Sequence, residues 1–76
     1  MIPLSEVREL ADLTQVQVAE RMGSSQTAVS RLERQTGWRT GTLIEYLTAL
    51  GAEADLVIRV NGRELVYRLT PEEVDQ

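Results

Sequence analysis

Residues 14–33, TQVQVAERMGSSQTAVSRLE, constrain the fold more than any other part of this chain. Thr14 and Gln17 have the capping-box spacing that starts a helix, and apolar residues follow at helical spacing. Gly23 predicts the end of that helix, because glycine enters the left-handed conformation without steric cost. Ser25 then predicts the cap of a second helix. The stretch therefore predicts two short helices joined by a tight turn.

The second of these helices has an apolar side and a polar side. We expect Ala28, Val29 and Leu32 to be buried. The polar side carries groups that hydrogen-bond to base edges and phosphates, namely Gln26, Thr27, Ser30, Arg31 and Arg34. This pattern predicts a helix that enters the major groove of DNA, and a merely solvated polar face is the alternative.

Four side chains of that face are the predicted base contacts: Gln26, Thr27, Ser30 and Arg31. Glutamine pairs with adenine, arginine pairs with guanine, and the threonine methyl group contacts thymine. For Ser30 a second interpretation stays open, since a small residue also allows close approach of the backbone.

The distribution of charge supports this prediction although the net charge is −4. Residues 1–20 carry a net −3 and residues 45–76 a net −4, whereas residues 21–44 carry +3. The basic segment therefore coincides with the predicted groove-binding helix and the loop after it. Such polarity matters more than the total charge for a nucleic-acid partner.

Residues 35–42, QTGWRTGT, predict a loop and helix start that lie close to the DNA backbone. Glycine and threonine expose backbone N–H and hydroxyl groups that suit phosphate oxygens. The phosphate contacts predicted around this segment are Arg34, Arg39, Thr40 and Thr42. Trp38 is the only tryptophan, and we expect it to pack on the core or anchor the loop.

The flanking segments predict two further helices. Ser5 or the nearby Pro3 marks the first helix start, and its packing face comprises Leu4, Val7, Leu10 and Ala11. The fourth helix has a buried stripe of Leu43, Ile44, Leu47 and Leu50, with Tyr46 beside it.

After Gly51 the apolar period changes from helical to alternating. Asn61-Gly62 is a strong hairpin signal, because both positions accept the left-handed turn conformation. The hairpin's apolar face comprises Leu56, Ile58, Val60, Leu65, Tyr67 and Leu69. A lone hairpin is barely stable in water, so we expect this face to form a homodimer. The alternative is a hairpin packed only on its own helices.

Residues 70–73, TPEE, predict a final helix start.

Size and composition restrict the remaining possibilities. Seventy-six residues form one domain with a marginal core, and the absence of cysteine excludes disulfides. Without histidine as well, an enzyme is the weakest option, and we expect no cofactor and no metal. No apolar run is long enough for a membrane span and no signal pattern is present, so we expect a cytoplasmic protein.

The chain resembles the lambda-repressor-like (Xre-type) helix-turn-helix family over residues 4–51. The matching residues are Leu13-Thr14-Gln15, Val18-Ala19, Gly23, Ser25-Gln26, Val29-Ser30, Leu32-Glu33 and Ala49-Leu50-Gly51. The resemblance implies four or five helices and a dimer on DNA, a phosphate contact from Gln15, and an ion pair between Arg8 and Glu33. Asp12 stands where that family usually has glycine.

We therefore expect a mostly α fold with a C-terminal β-hairpin. Residues 1–51 form a four-helix lambda-repressor-like domain, residues 52–70 a dimerising hairpin, and residues 71–76 a tail. The expected function is a sequence-specific repressor, dimeric on an inverted-repeat operator in double-stranded DNA. Such regulators ending in strands resemble antitoxins of the HigA and HipB type, which implies a toxin partner. A phage or mobile-element repressor and a protein–protein interaction module on the same fold stay open.

Overall fold

The computed structural model describes residues 2–72, and in this range four helices precede one antiparallel hairpin. The helices are α1 (Leu4–Leu10), α2 (Gln15–Met22), α3 (Gln26–Arg34) and α4 (Thr40–Ala49), and the strands are β1 (Asp55–Val60) and β2 (Arg63–Arg68). The predicted fold class is confirmed. None of these helices is long and apolar enough to cross a membrane. The helix start predicted at residues 70–73 lies partly outside the described residues, which end at residue 72.

Local capping fixes the helix-turn-helix unit as the sequence predicts. The Thr14 hydroxyl accepts a hydrogen bond from the Gln17 N–H at 3.1 Å, and the Gln17 side chain accepts one from the Thr14 N–H at 2.9 Å. Gly23 ends α2 with a φ of 65°. The Ser25 hydroxyl caps α3 by accepting from the Ala28 N–H at 3.1 Å. Because each of these bonds spans three residues, residue type and spacing are enough to predict them.

Of the two predicted starts of α1 the earlier one is confirmed, since Pro3 is the N-cap and its carbonyl accepts from the backbone of the first turn. Two predictions of buried residues are wrong. Leu10 is 85% exposed, because it lies at the margin of the apolar stripe of α1 and not on the side where Leu4 enters the core. Ala28 is exposed for the same reason, at the edge of the α3 stripe.

One core joins all four helices. Its buried members are Leu4, Val18, Ala19, Val29, Leu32, Tyr46, Leu47 and Leu50. Tyr46 is fully buried and is the largest such side chain in the described residues. The sequence placed it only beside the α4 stripe, so its central position is a finding of the structure.

The hairpin turns at Asn61 and Gly62, whose φ angles are 50° and 76°. Every residue of both strands is exposed, so the structure does not show a hairpin packed on its own helices. Its base is fixed where the Leu69 N–H donates to the Ala54 carbonyl at 2.8 Å. Leu69 lies just beyond β2 and is partly buried, unlike the other five residues predicted for the apolar face.

Candidate nucleic-acid interface

The outward side of α3 presents the predicted base-contacting residues together. Gln26, Thr27 and Arg31 are exposed, and Ser30 is partly exposed. These positions are separated by one, three and four residues, so they lie on one helical face. The opposite side of α3 is held in the core by Val29 and Leu32. This arrangement leaves the polar groups free for a ligand and gives them a rigid support.

Glu33, at the inner side of α3, collects hydrogen bonds from three other elements, and we call Arg8, Gln15, Glu33 and Tyr46 the Glu33 cluster. The Arg8 guanidinium donates to the carboxylate at 2.7 Å, which confirms the ion pair implied by the family resemblance. The Tyr46 hydroxyl donates to it at 2.6 Å, and the Gln15 amide donates at 3.0 Å. Arg8 also donates to the Leu13 carbonyl at 2.9 Å. One carboxylate therefore links α1, α2, α3 and α4.

These contacts determine the protonation states of the cluster. Burial of the Glu33 carboxylate raises its pKa, but hydrogen bonds from Arg8, Tyr46 and Gln15 outweigh burial, and the pKa lies below its ordinary value. Burial, followed by the bond to Glu33, raises the pKa of the Tyr46 phenol. The hydrogen bond to Glu33 raises the pKa of Arg8 despite partial burial. The cluster consequently keeps one negative and one positive charge at neutral pH.

Gln15 connects the Glu33 cluster to the exposed polar side of α3. Its amide nitrogen donates to Glu33, and its amide oxygen accepts from the Gln26 side chain at 3.4 Å. Gln15 is also the first residue of α2, so its backbone N–H lies among the unpaired donors of a helix start. The structure thus joins a predicted phosphate contact to a predicted base contact, a link that the sequence analysis did not contain.

The predicted phosphate contacts lie at the end of α3 and the start of α4. Arg34, Arg39 and Thr40 are exposed, and Thr42 is partly buried. Arg34 folds along α3, where its Nε donates to the Ser30 carbonyl at 3.3 Å. Arg39 is the N-cap of α4, beside the free N–H groups of the first turn, which favour an anion.

Trp38 holds this loop in place. Its ring packs against the core, and its Nε1 donates to the Leu32 carbonyl at 2.8 Å. The bond covers the C-terminal end of α3, so Trp38 makes the core-packing and loop-anchoring contacts that the sequence predicts.

Two further contacts were not predicted from the sequence. Tyr46 completes the Glu33 cluster, and the general rule that a buried tyrosine hydroxyl needs a partner is the signal that could have indicated it. Arg21 donates to the Ala49 carbonyl at 2.9 Å and ties α2 to the end of α4. No local pattern predicts that second bond, since it joins residues far apart in the chain.

The helix-turn-helix family model matches residues 4–57, which include all four helices and the beginning of β1. The chain belongs to this family. Among solved structures, this helix-turn-helix protein is similar to a HigA antitoxin whose unique dimerization induces DNA bending. The two share 34% identity over 86% of this chain and 90% of the other, with a TM-score of 0.76. It is also similar to the DNA-bound antitoxin HigA3, at 32% identity over 99% and 97% of the two chains and a TM-score of 0.76. No curated protein sequence matches this chain.

Proposed function

We propose that this helix-turn-helix protein is a sequence-specific DNA-binding repressor of the antitoxin type, dimeric on an inverted-repeat operator. The observation that carries the proposal is the exposed polar face of α3, seated on the core and fixed by the Glu33 cluster. The family match and the similarity to a DNA-bound HigA antitoxin support it. Such a repressor would act on DNA in the cytoplasm, the location that the sequence predicts.

Base recognition is assigned to the exposed side chains of α3. Gln26 suits adenine, Arg31 suits guanine, and Thr27 offers a methyl group to thymine. The bond from Gln26 to Gln15 orients the recognition amide before DNA arrives, which lowers the ordering cost of binding. Ser30 lies on the same face between them.

Phosphate binding is assigned to residues on both sides of α3. Gln15 contributes from the start of α2, and Arg34, Arg39, Thr40 and Thr42 contribute from the end of α3 and the start of α4. Such contacts fix the register of the protein on the duplex without carrying sequence information.

Dimerisation is assigned to the hairpin. Leu56, Ile58, Val60, Leu65 and Tyr67 are between 38% and 60% exposed, and an uncovered two-stranded hairpin is marginal in water. A second copy of the chain would cover these residues, with Leu69 at the base of the same face. A two-fold axis there would place the two α3 helices about 34 Å apart, one turn of DNA.

The antitoxin setting is favoured by the HigA relatives and by the acidic C-terminal part of the chain. Residues 45–76 carry a net charge of −4, which suits a basic toxin as partner. A neighbouring gene that encodes a small basic protein would support this setting, and its absence would favour a phage or mobile-element repressor.

Binding to the protein's own promoter region, measured across salt concentrations, tests the proposal. A protein that neutralises several phosphates loses affinity steeply as salt rises.

Arg31→Ala should cost roughly 1–3 kcal/mol on the preferred site and relax specificity, whereas Arg39→Ala should weaken all sites alike. Arg63→Ala removes an exposed arginine from the hairpin and serves as the control with unchanged specificity. If DNA binding is absent, or indifferent to Gln26, Thr27 and Arg31, the protein is instead an interaction module on this fold.

A further inference from the structure

The two strands of the hairpin carry the same pattern of charge and apolar residues. Residues 55–59 are DLVIR and residues 64–68 are ELVYR, so each run begins with an acid, has valine at its centre and ends with arginine. When two such strands run antiparallel with their valines opposite each other, the acid of one lies opposite the arginine of the other. The pattern is therefore self-complementary in an antiparallel pair.

The hairpin itself already uses this complementarity. Val57 lies opposite Val66 at its centre. On either side, Arg68 donates to Asp55 at 3.0 Å and Arg59 donates to Glu64 at 2.9 Å. By its charge pattern, each strand could also pair with the same strand of a second copy of the chain.

The outer edge of β1 has the backbone groups needed for such a pairing. The Ala54 carbonyl accepts from the Leu69 N–H, so Ala54 is a hydrogen-bonded position of the ladder. Bonded and non-bonded positions alternate along an antiparallel pair. Asp55, Val57 and Arg59 therefore direct their N–H and C=O groups away from β2, towards the free edge.

We propose that β1 pairs antiparallel with β1 of a second copy, about a two-fold axis at Val57, so that each Asp55 faces the partner's Arg59. This inference rests on the dimer of the proposed function and specifies its edge and register. The product is one four-stranded sheet. Across one face of that sheet, charges alternate in the order Arg68, Asp55, the partner's Arg59 and the partner's Glu64.

The apolar face of the sheet agrees with the same register. Leu56 lies beside the partner's Ile58, and Val60 lies beside the partner's Ala54. These neighbours are apolar on both sides of the axis, and β-branched residues are favoured in central strands. Residues assigned to dimerisation on β1 thus meet across the axis and not only within their own hairpin.

The edge of β2 is the poorer alternative. Pairing about Val66 also matches Glu64 with the partner's Arg68, but it places Arg63 on the apolar face opposite the partner's Leu69. An inward-pointing charge is a common device by which proteins keep an outer strand from pairing. β2 therefore suits the outside of the joined sheet.

Exchanging charges within each chain tests the register. Asp55→Arg combined with Arg68→Asp keeps the ion pair inside the hairpin but brings two guanidinium groups together at each contact between protomers. The dimer dissociation constant, measured by sedimentation, should rise about tenfold or more. Adding Arg59→Asp and Glu64→Arg restores every pair and should restore dimerisation. An unchanged dimer in the double exchange, or no rescue in the fourfold exchange, overturns the inference.

Disulfide trapping gives a second measurement that does not depend on charge. The chain has no cysteine, so Val57→Cys and Val66→Cys each introduce a single thiol. Hydrogen-bonded antiparallel partners lie about 5.5 Å apart at Cα, within the range that a disulfide bridges. Val57→Cys should give a covalent dimer on mild oxidation and Val66→Cys should not. The opposite result, or no cross-link in either variant, overturns the proposed edge.

The outcomes separate this inference from the proposed function. A wild-type dimer that binds its promoter but ignores the charge exchange remains a repressor with a different interface. A dimer that forms the Val57→Cys cross-link yet binds no DNA keeps the interface and refutes the repressor.

Discussion

At the scale of single residues, Glu33 connects the core to the side chains predicted to contact DNA. Its carboxylate is nearly buried, yet three donors from other elements satisfy it. A buried charge with good partners is tolerated, whereas loss of one partner leaves an uncompensated charge. The same carboxylate accepts from Gln15, whose amide oxygen in turn accepts from Gln26 on the exposed side of α3.

Arg8→Met should destabilise the protein by about 3 kcal/mol, because it leaves the Glu33 carboxylate without its only cationic partner among the described residues. Urea denaturation at fixed protein concentration measures this loss. Arg31→Met, at an exposed position of α3, is the matched control and should change stability little. Equal stability of Arg8→Met and wild type would show that the pair is not structural.

Stability should also fall with acid because of Glu33. Its pKa is lowered in the folded protein, so its contribution is present above the unfolded value, about 4.3 for a glutamate. The contribution is lost as pH falls through the lower folded pKa. The difference in stability between wild type and Glu33→Gln should therefore be largest near neutral pH and shrink in acid. A difference that does not depend on pH would contradict this assignment.

At the scale of elements, local chemistry made most of the fold predictable. The caps at Thr14 and Ser25, the glycine end of α2 and the Asn61-Gly62 turn each depend on residues within three positions of one another. Asp12 adopts a φ of 57°, which its short polar side chain tolerates where the family usually has glycine.

The sequence did not predict the burial of side chains whose environment depends on distant elements. Leu10 belongs to a helical stripe but finds no partner in the described fold. Tyr46 was predicted only beside the α4 stripe, yet it is fully buried, and its hydroxyl donates to the carboxylate that also accepts from Arg8 and Gln15. The outward face of α3 was predictable because it required only that Val29 and Leu32 be buried, whereas the Gln15–Gln26 bond required two helices at a known angle.

Trp38→Phe tests the anchoring of the α3–α4 loop. Phenylalanine keeps most of the apolar area but loses the N–H that donates to the Leu32 carbonyl, which should cost about 1 kcal/mol of stability. Affinity for all DNA sites should fall together, since Arg39 follows directly in the loop. Thermal unfolding and promoter binding measure the two effects. Reduced specificity without a general loss of affinity would assign Trp38 to base recognition instead.

At the scale of the whole molecule, an acidic protein contains one basic segment. The net −4 charge hides a segment of +3 at residues 21–44, and that segment includes α3 and the start of α4. The hairpin extends from the helices and has both faces exposed. The proposed DNA binding and the proposed dimerisation therefore use separate parts of the chain, α3 and the hairpin.

The melting temperature should rise with protein concentration, because association stabilises the folded form by mass action. Thermal unfolding over a hundredfold range of concentration measures the shift. The Asp55→Arg, Arg68→Asp variant is the control, and its melting temperature should depend less on concentration. A wild-type melting temperature that is constant over the range would argue against a dimer.

If two hairpins cover each other as proposed, the lifetime of the protein should depend on its abundance. A protomer without a partner keeps an uncovered hairpin that is marginal in water, and segments of low local stability open and become accessible to proteases. Scarce chains would then be degraded faster than abundant ones. Occupancy of the operator would consequently decline more steeply than synthesis, so that a brief pause in translation is enough to relieve repression.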